Sequence, residues 1–198
     1  MHKIRITAHA GALNTTPNTL PSVQAALESG VDILEVDVRF LPDGTPALGH
    51  DGAGPHSPTL EAVFEFMQGY PAHINLDMKE TMHVIRVAEL VAQYGLQGRA
   101  FLTGIGKKDI PTVQDCGLPY YLNSPDIAAA KALGALGPNI YYGQCTKKLV
   151  RAARAQDLLV SVWTVDSLAA MRRMLRLGVD NITTRRPDAL LEIIHHDA

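Results

Sequence analysis

Strand-like and helix-like stretches alternate about eight times along this chain, and that alternation limits the fold more than any other feature. Residues 3–10 (KIRITAHA) read as a strand, 22–30 (SVQAALESG) as a helix stopped by Gly30, and 33–40 (ILEVDVRF) as the next strand. A turn at 42–44 (PDG) leads into a short extension, 46–51 (PALGHD), and the helix 59–69 follows. The same rhythm continues with strands at 73–79, 99–105, 119–124, 139–143, 158–165 and 180–184. Helices between and after them are expected within 81–95, 107–117, 125–135, 146–157, 166–178 and 186–194. In the helix ended by Gly95, Val84, Val87, Ala88 and Val91 form one apolar stripe at helical spacing. Strands separated by single helices with Gly or Asp punctuation are the mark of parallel βαβ units.

Eight units favour a compact (β/α)8 TIM barrel over a doubly wound sheet. No GxGxxG follows the first strand, which argues further against a dinucleotide-binding sheet. At 198 residues the chain is short for a barrel that usually takes about 250, so its loops must be minimal. The whole of 1–198 is expected to form a single domain around one core.

Composition removes several function classes. Hydrophobic residues make up 46% and charged residues 19%, and the net charge of −2 gives no reason to expect a nucleic-acid or membrane-surface partner. Cys116 and Cys145 have neither disulfide-framework nor zinc spacing. No apolar run is long enough to cross a bilayer, and no basic segment followed by an apolar one precedes the first strand. The expectation is a soluble, cytoplasmic protein without stable membrane insertion, its oligomeric state open.

Against that background, five side chains interrupt otherwise apolar strand segments: His9, Glu35, Asp37, His50 and Asp77. Alternation along a strand sends Leu34, Val36 and Val38 to one face and Glu35 with Asp37 to the other. The same parity groups Asp77 with Lys79, and His9 with Thr7. Carboxylates converging inside a sheet need a cation, a base or water to offset their desolvation. A metal flanked by two acid/base histidines satisfies all five residues at once. His9, Asp37, His50 and Lys79 are all expected at C-terminal strand ends, where catalytic groups of such barrels sit. Trp163, the only tryptophan, is expected at the barrel mouth with Ser161. The other histidines, His2, His56, His73, His83, His195 and His196, receive no role.

These segments, in order, resemble the glycerophosphodiester phosphodiesterase family. Its HRG, PENT, ExD, DG and HD motifs correspond to His9-Ala10-Gly11, Pro17-Asn18-Thr19, Glu35-Val36-Asp37, Asp43-Gly44 and His50-Asp51. Its ExK strand resembles Asp77-Met78-Lys79, and its late WTV and GVDxIxT resemble Trp163-Thr164-Val165, Gly178-Val179-Asp180 and Ile182-Thr183. The departures are Ala10 for the family arginine, Asp77 for the glutamate of ExK, and only a few residues between His50-Asp51 and Pro58-Thr59-Leu60-Glu61, where relatives carry an insertion. ITTRRP also stands where relatives often have an aspartate.

The resemblance implies a phosphoric diester hydrolase with a small-molecule phosphodiester substrate. It implies that Glu35, Asp37 and Asp77 hold Mg²⁺ or Ca²⁺, that His9 and His50 are general acid and base, and that Lys79 and Trp163 meet substrate. A salt bridge from Lys79 to Glu35 is the competing reading of that lysine, and barrel core that of Trp163. With alanine at position 10 the phosphate would be left to the metal, Lys79 and backbone groups, and Ala10→Arg would tighten phosphate binding about tenfold if space allows. Two other readings stay open: a catalytically impaired member that binds a phosphorylated ligand, and a metal-dependent lyase or aldolase on the same fold.

Overall fold

A computed structural model describes residues 4–196; Lys3, where the first strand was expected to start, and His2 lie outside them. The strands are β1 (Arg5–Ala8), β2 (Ile33–Phe40), β3 (Pro46–Leu48), β4 (His73–Met78), β5 (Ala100–Ile105), β6 (Tyr120–Leu122), β7 (Asn139–Tyr141), β8 (Ser161–Trp163) and β9 (Asn181–Thr184). The helices are α1 (Leu20–Glu28), α2 (Leu60–Met67), α3 (Val84–Gln93), α4 (Ile110–Val113), α5 (Ile127–Ala132), α6 (Lys147–Arg154), α7 (Leu168–Leu177) and α8 (Pro187–His196). Eight parallel strands pair in the order β6-β5-β4-β2-β1-β9-β8-β7. A parallel bridge from Leu122 to Pro138 brings the two ends together, with Leu122 N–H donating to Gly137 at 2.9 Å. The expected (β/α)8 barrel is therefore what forms, as a single domain.

Local chemistry sets the helix starts. Thr19, Thr59, Asp126, Thr146 and Ser167 each accept a backbone N–H from the first turn of the following helix, satisfying donors that the helix leaves unpaired. Val84, Val87 and Val91 on α3 are fully buried and Ala88 packs at their edge, as the stripe requires. Among the described residues no helix is long and apolar enough to cross a membrane.

The main hydrophobic core lies between the outward faces of the strands and the helices, and includes Leu34, Val36, Val38, Ile74, Leu76 and Leu102. Inside the barrel the chemistry changes with height. A separate apolar cluster of Ile33, Phe101 and Tyr121, with Leu136 against it, forms the floor. Around the rest of the interior, Thr7 donates to Asn181 (2.8 Å), Asn181 to Ser161 (3.0 Å) and Asn139 to Asn123 (3.0 Å). Among the described residues no buried side-chain polar atom lacks a partner, as a polar interior demands.

One expectation is corrected here. The extension 46–51 does not belong to the barrel wall, because β3 turns back on β2 in antiparallel pairing, Val38 opposite Leu48. His50 thus reaches the mouth on a hairpin arm, held by Gly49 N–H to Asp37 O at 3.1 Å, and not at the end of a barrel strand. Proline at 42 and the tight turn through Gly44 fold the strand back before it can pair in parallel.

Candidate active site

Strand register brings the interrupting side chains together. Glu35 pairs across with Asn75 and Asp37 with Asp77, while Asp77 faces Thr103 on the next strand. All point inward, because Leu34, Val36, Leu76 and Leu102 occupy the outward positions. Glu35, Asp37 and Asp77 each present a carboxylate oxygen within 4.8 Å of the other two. They line a cavity of about 690 Å³ at the C-terminal end of the barrel, together with His9, His50, Lys79, Trp163 and Arg185. The sequence-level set of seven candidate residues therefore shares one cavity.

The chain fixes each carboxylate from a different direction. Gly11 turns at φ +79°, where a Cβ would meet Pro17 Cγ at 2.7 Å, so this turn favours glycine. That turn lets the Ala10 N–H donate to Glu35 Oε2 at 2.7 Å. Asn18 Nδ2 donates to Asp37 Oδ2 at 2.7 Å, and its Oδ1 accepts the Asp37 N–H at 3.2 Å. Thr103 Oγ1 lies 2.8 Å from Asp77 Oδ1. Lys79 Nζ sits 2.7 Å from Asp37 Oδ1 and also binds Asp77 Oδ2. The salt bridge weighed between Lys79 and Glu35 falls instead to the two aspartates, which share the lysine's side of the cluster.

Charge follows position. Glu35, only 3% exposed, has its carboxyl pushed well above the usual range by burial and then by Asp77 and Asp37. Burial works against Asp37 as well, but hydrogen bonds from Asn18 and Lys79 hold it below the ordinary aspartate value. Burial opposes the Lys79 charge, yet Asp77 and Asp37 raise its pKa to about 12. One ammonium facing three carboxylates leaves two negative charges uncompensated when all ionise. An all-oxygen donor set with that deficit fits a hard divalent cation such as Mg²⁺ or Ca²⁺.

A stability test follows from Glu35. A carboxyl whose folded pKa is raised holds its proton longer folded than unfolded, so its contribution is complete below the unfolded value and is lost as pH rises through the folded one. Metal-free protein is expected to show that loss from about pH 4.5 upward. Glu35→Gln keeps an acceptor for the Ala10 N–H and is expected to remove it. Thermal melts in chelator across this range decide: the same pH slope in both proteins would assign the loss to another group.

The histidines differ in setting. His9 is mostly buried, with Nδ1 2.8 Å from Ala10 O and 3.7 Å from Glu35 Oε2. Burial is the main reason its pKa falls below the ordinary histidine value, and Arg185 adds to the effect. His50 is exposed at the rim, with Nδ1 2.7 Å from Asp51 Oδ1. Trp163 stands at the mouth, 38% exposed, with its ring edge-on to Tyr141 at a centroid distance of 6.2 Å.

Sequence reasoning missed Thr103 and Arg185, and quoted Asn18 only within a helix-start motif. Parity was the available signal for the first two. Thr103 is the inward neighbour of Asp77, and Arg185 lies two residues beyond inward-facing Thr183.

Comparison with known proteins agrees with this geometry. The family model for the glycerophosphoryl diester phosphodiesterase family matches residues 9–57 and 105–189. His9, Glu35, Asp37, His50 and Trp163 lie inside the matched stretches, and Asp77 and Lys79 between them. A glycerophosphodiester phosphodiesterase of Bacillus altitudinis is 27% identical over 96% of this chain and 97% of its own length. The Arabidopsis thaliana glycerophosphodiester phosphodiesterase GDPD4 is 41% identical over 94% of this chain and 72% of its own. Among solved structures, a glycerophosphodiester phosphodiesterase of Parabacteroides distasonis superposes with a TM-score of 0.85 at 19% identity, covering 98% of each chain. An Oleispira antarctica phosphodiesterase, solved with the product sn-glycerol-3-phosphate, gives 0.84 at 19% identity over 96% of each chain. With its barrel, its inward carboxylates and its flanking histidines read together with these matches, the chain belongs to the glycerophosphoryl diester phosphodiesterase family.

Proposed function

We propose that this protein is a metal-dependent phosphodiester hydrolase acting on glycerophosphodiester-like substrates by histidine acid-base catalysis. The observation that carries the reading is the meeting of Glu35, Asp37 and Asp77 within 4.8 Å in one cavity with His9 and His50. Glu35, Asp37 and Asp77 would hold Mg²⁺ or Ca²⁺, which when bound supplies positive charge for a non-bridging phosphate oxygen and for the charge developing in the transition state.

The chain's own residues do the proton work. His9 gives its Nδ1 proton to Ala10 O, so Nε2 is the nitrogen left for proton exchange. Burial keeps that ring neutral near pH 7, which suits it to take the proton of the attacking hydroxyl. His50, with Nδ1 against Asp51, gives a proton from Nε2 to the leaving alkoxide. The base acts at the buried end of the cavity and the acid at its open rim, where an alcohol group departs. Lys79 holds Asp37 and Asp77 in place and offsets part of their charge. Trp163 offers its exposed face to the alcohol moiety.

The test is hydrolysis of an sn-glycerol 3-phosphodiester and of bis(p-nitrophenyl) phosphate in EDTA and after adding back metal. Turnover is expected to vanish in chelator and return with Mg²⁺ or Ca²⁺. Undiminished turnover in chelator would remove the metal. Phosphate binding without any turnover would favour the impaired-member reading.

A further inference from the structure

We propose that Arg185 is the anion-binding arginine of this site, taking the phosphate oxygens that an arginine at position 10 would otherwise meet. Ala8 pairs with Thr184 across β1 and β9, so the next residues, His9 and Arg185, leave the barrel side by side. His9 N–H donates to Thr184 O at 2.9 Å, which ties the two strand ends together. Thr7 and Thr183 are inward partners, and two residues further the same parity returns. Arg185 accordingly lines the cavity beside His9 and Ala10.

The turn that carries it is braced. Leu13 N–H donates to Arg185 O at 2.9 Å, and Asp166 Oδ1 accepts the Arg185 N–H at 2.8 Å. Asp166 Oδ2 accepts from one terminal nitrogen of the guanidinium at 2.9 Å. Among the described residues Asp166 is its only side-chain partner, and the arginine side chain stays 51% exposed. A guanidinium has five N–H donors in a fixed fork, so one aspartate leaves most of it free for a ligand. Asp166 is a positioning residue in this reading, since it holds the fork without touching substrate.

Charge in the cavity points the same way. Lys79, the other lysine or arginine lining it, is held by Asp37 and Asp77. Ala10 contributes a methyl group and a backbone N–H already given to Glu35. A phosphodiester entering this cavity therefore meets in Arg185 a guanidinium whose donors are mostly open, placed next to His9. Two phosphate oxygens match the fork in a way that a point charge does not. The identification of the anion as a phosphodiester rests on the proposed hydrolase reading; the anion site itself rests on geometry.

Calorimetric titration of inorganic phosphate and of sn-glycerol 3-phosphate, in chelator and again in saturating Mg²⁺, tests it alongside steady-state kinetics. Arg185→Ala is expected to weaken both ligands about tenfold or more and to raise KM for the diester more than it lowers kcat, with circular dichroism and Tm unchanged. Arg185→Lys keeps the charge and loses the fork, and is expected to fall between. Ala10→Arg should add little to the unmodified chain but restore binding to Arg185→Ala. Unchanged phosphate affinity and KM in Arg185→Ala, while the unmodified protein turns over, would overturn the inference and leave the hydrolase reading standing. Arg185-dependent phosphate binding with no turnover would uphold the anion site and remove the hydrolase reading. Absence of both would remove both.

Discussion

His9→Ala is expected to lower kcat on an unactivated phosphodiester by about 10²- to 10⁴-fold, the usual cost of losing a general base, while the fold and metal binding survive. Among the described residues the side chain bonds to the neighbouring Ala10 carbonyl, and its one long-range contact is the 3.7 Å approach to Glu35, which Ala10 N–H also holds, so its removal leaves the carboxylate anchored. His50→Ala should cost a comparable factor with even less structural effect, since the ring is exposed and pairs with its sequence neighbour Asp51. Single-turnover rates on a glycerophosphodiester separate chemistry from product release. An activated nitrophenyl ester, whose leaving group needs no proton, should spare His50→Ala and not His9→Ala. Wild-type kcat in either variant on the unactivated substrate would strip that residue of its role. Because burial lowers the His9 pKa, the acidic limb of kcat/KM should fall below pH 6.5.

Gly104→Ala is expected to be among the most destabilising single-methyl changes in this protein. Gly104 sits at φ +77°, where β5 shifts register between Leu102 and Ile105. A Cβ there would lie 2.2 Å from Met78 O and 3.0 Å from Met78 C and N, all backbone atoms that have no side-chain rotation to escape. The strained φ costs roughly 1 to 3 kcal/mol, and parting β4 from β5 adds to it. A loss of about 3 kcal/mol or more corresponds to a Tm lower by roughly 6 to 12 °C in a chain of this size. Met78 stands between Asp77 and Lys79, so the same change should weaken stabilisation by added Mg²⁺ or Ca²⁺. Calorimetric melting with and without metal measures both effects; a Tm within a degree of wild type would show that the strands absorb the methyl freely.

How far the molecule was legible in its sequence depends on the range of the signal. Periodicity is local, so the alternation gave eight strands, their helices and the inward parity of Glu35, Asp37 and Asp77. What periodicity does not report is which strands are neighbours or where a strand reverses. His50 was placed on the barrel wall because PALGHD looks like any short strand, and only its antiparallel pairing with β2 reveals the hairpin. Lys79 was given a choice of partners because distances across strands depend on register, and that register puts Asp37 opposite Asp77. Arg185 and Asp166 escaped notice for a related reason. An arginine after a strand reads as solvated surface until the neighbouring strand end is known to be His9. Asn18 was visible only as part of a motif, since its bond to Asp37 spans 19 residues.

The apolar floor of Ile33, Phe101, Tyr121 and Leu136 makes the barrel a cup with one doorway. The mouth lined by His50 and Trp163 is the entrance on the side opposite that floor. In the proposed reaction the alcohol would depart past His50, and the phosphorylated fragment would remain beside His9 and Arg185. A fragment retained there would occupy the place of the next substrate, so added sn-glycerol 3-phosphate is expected to act as a competitive inhibitor of the proposed hydrolysis.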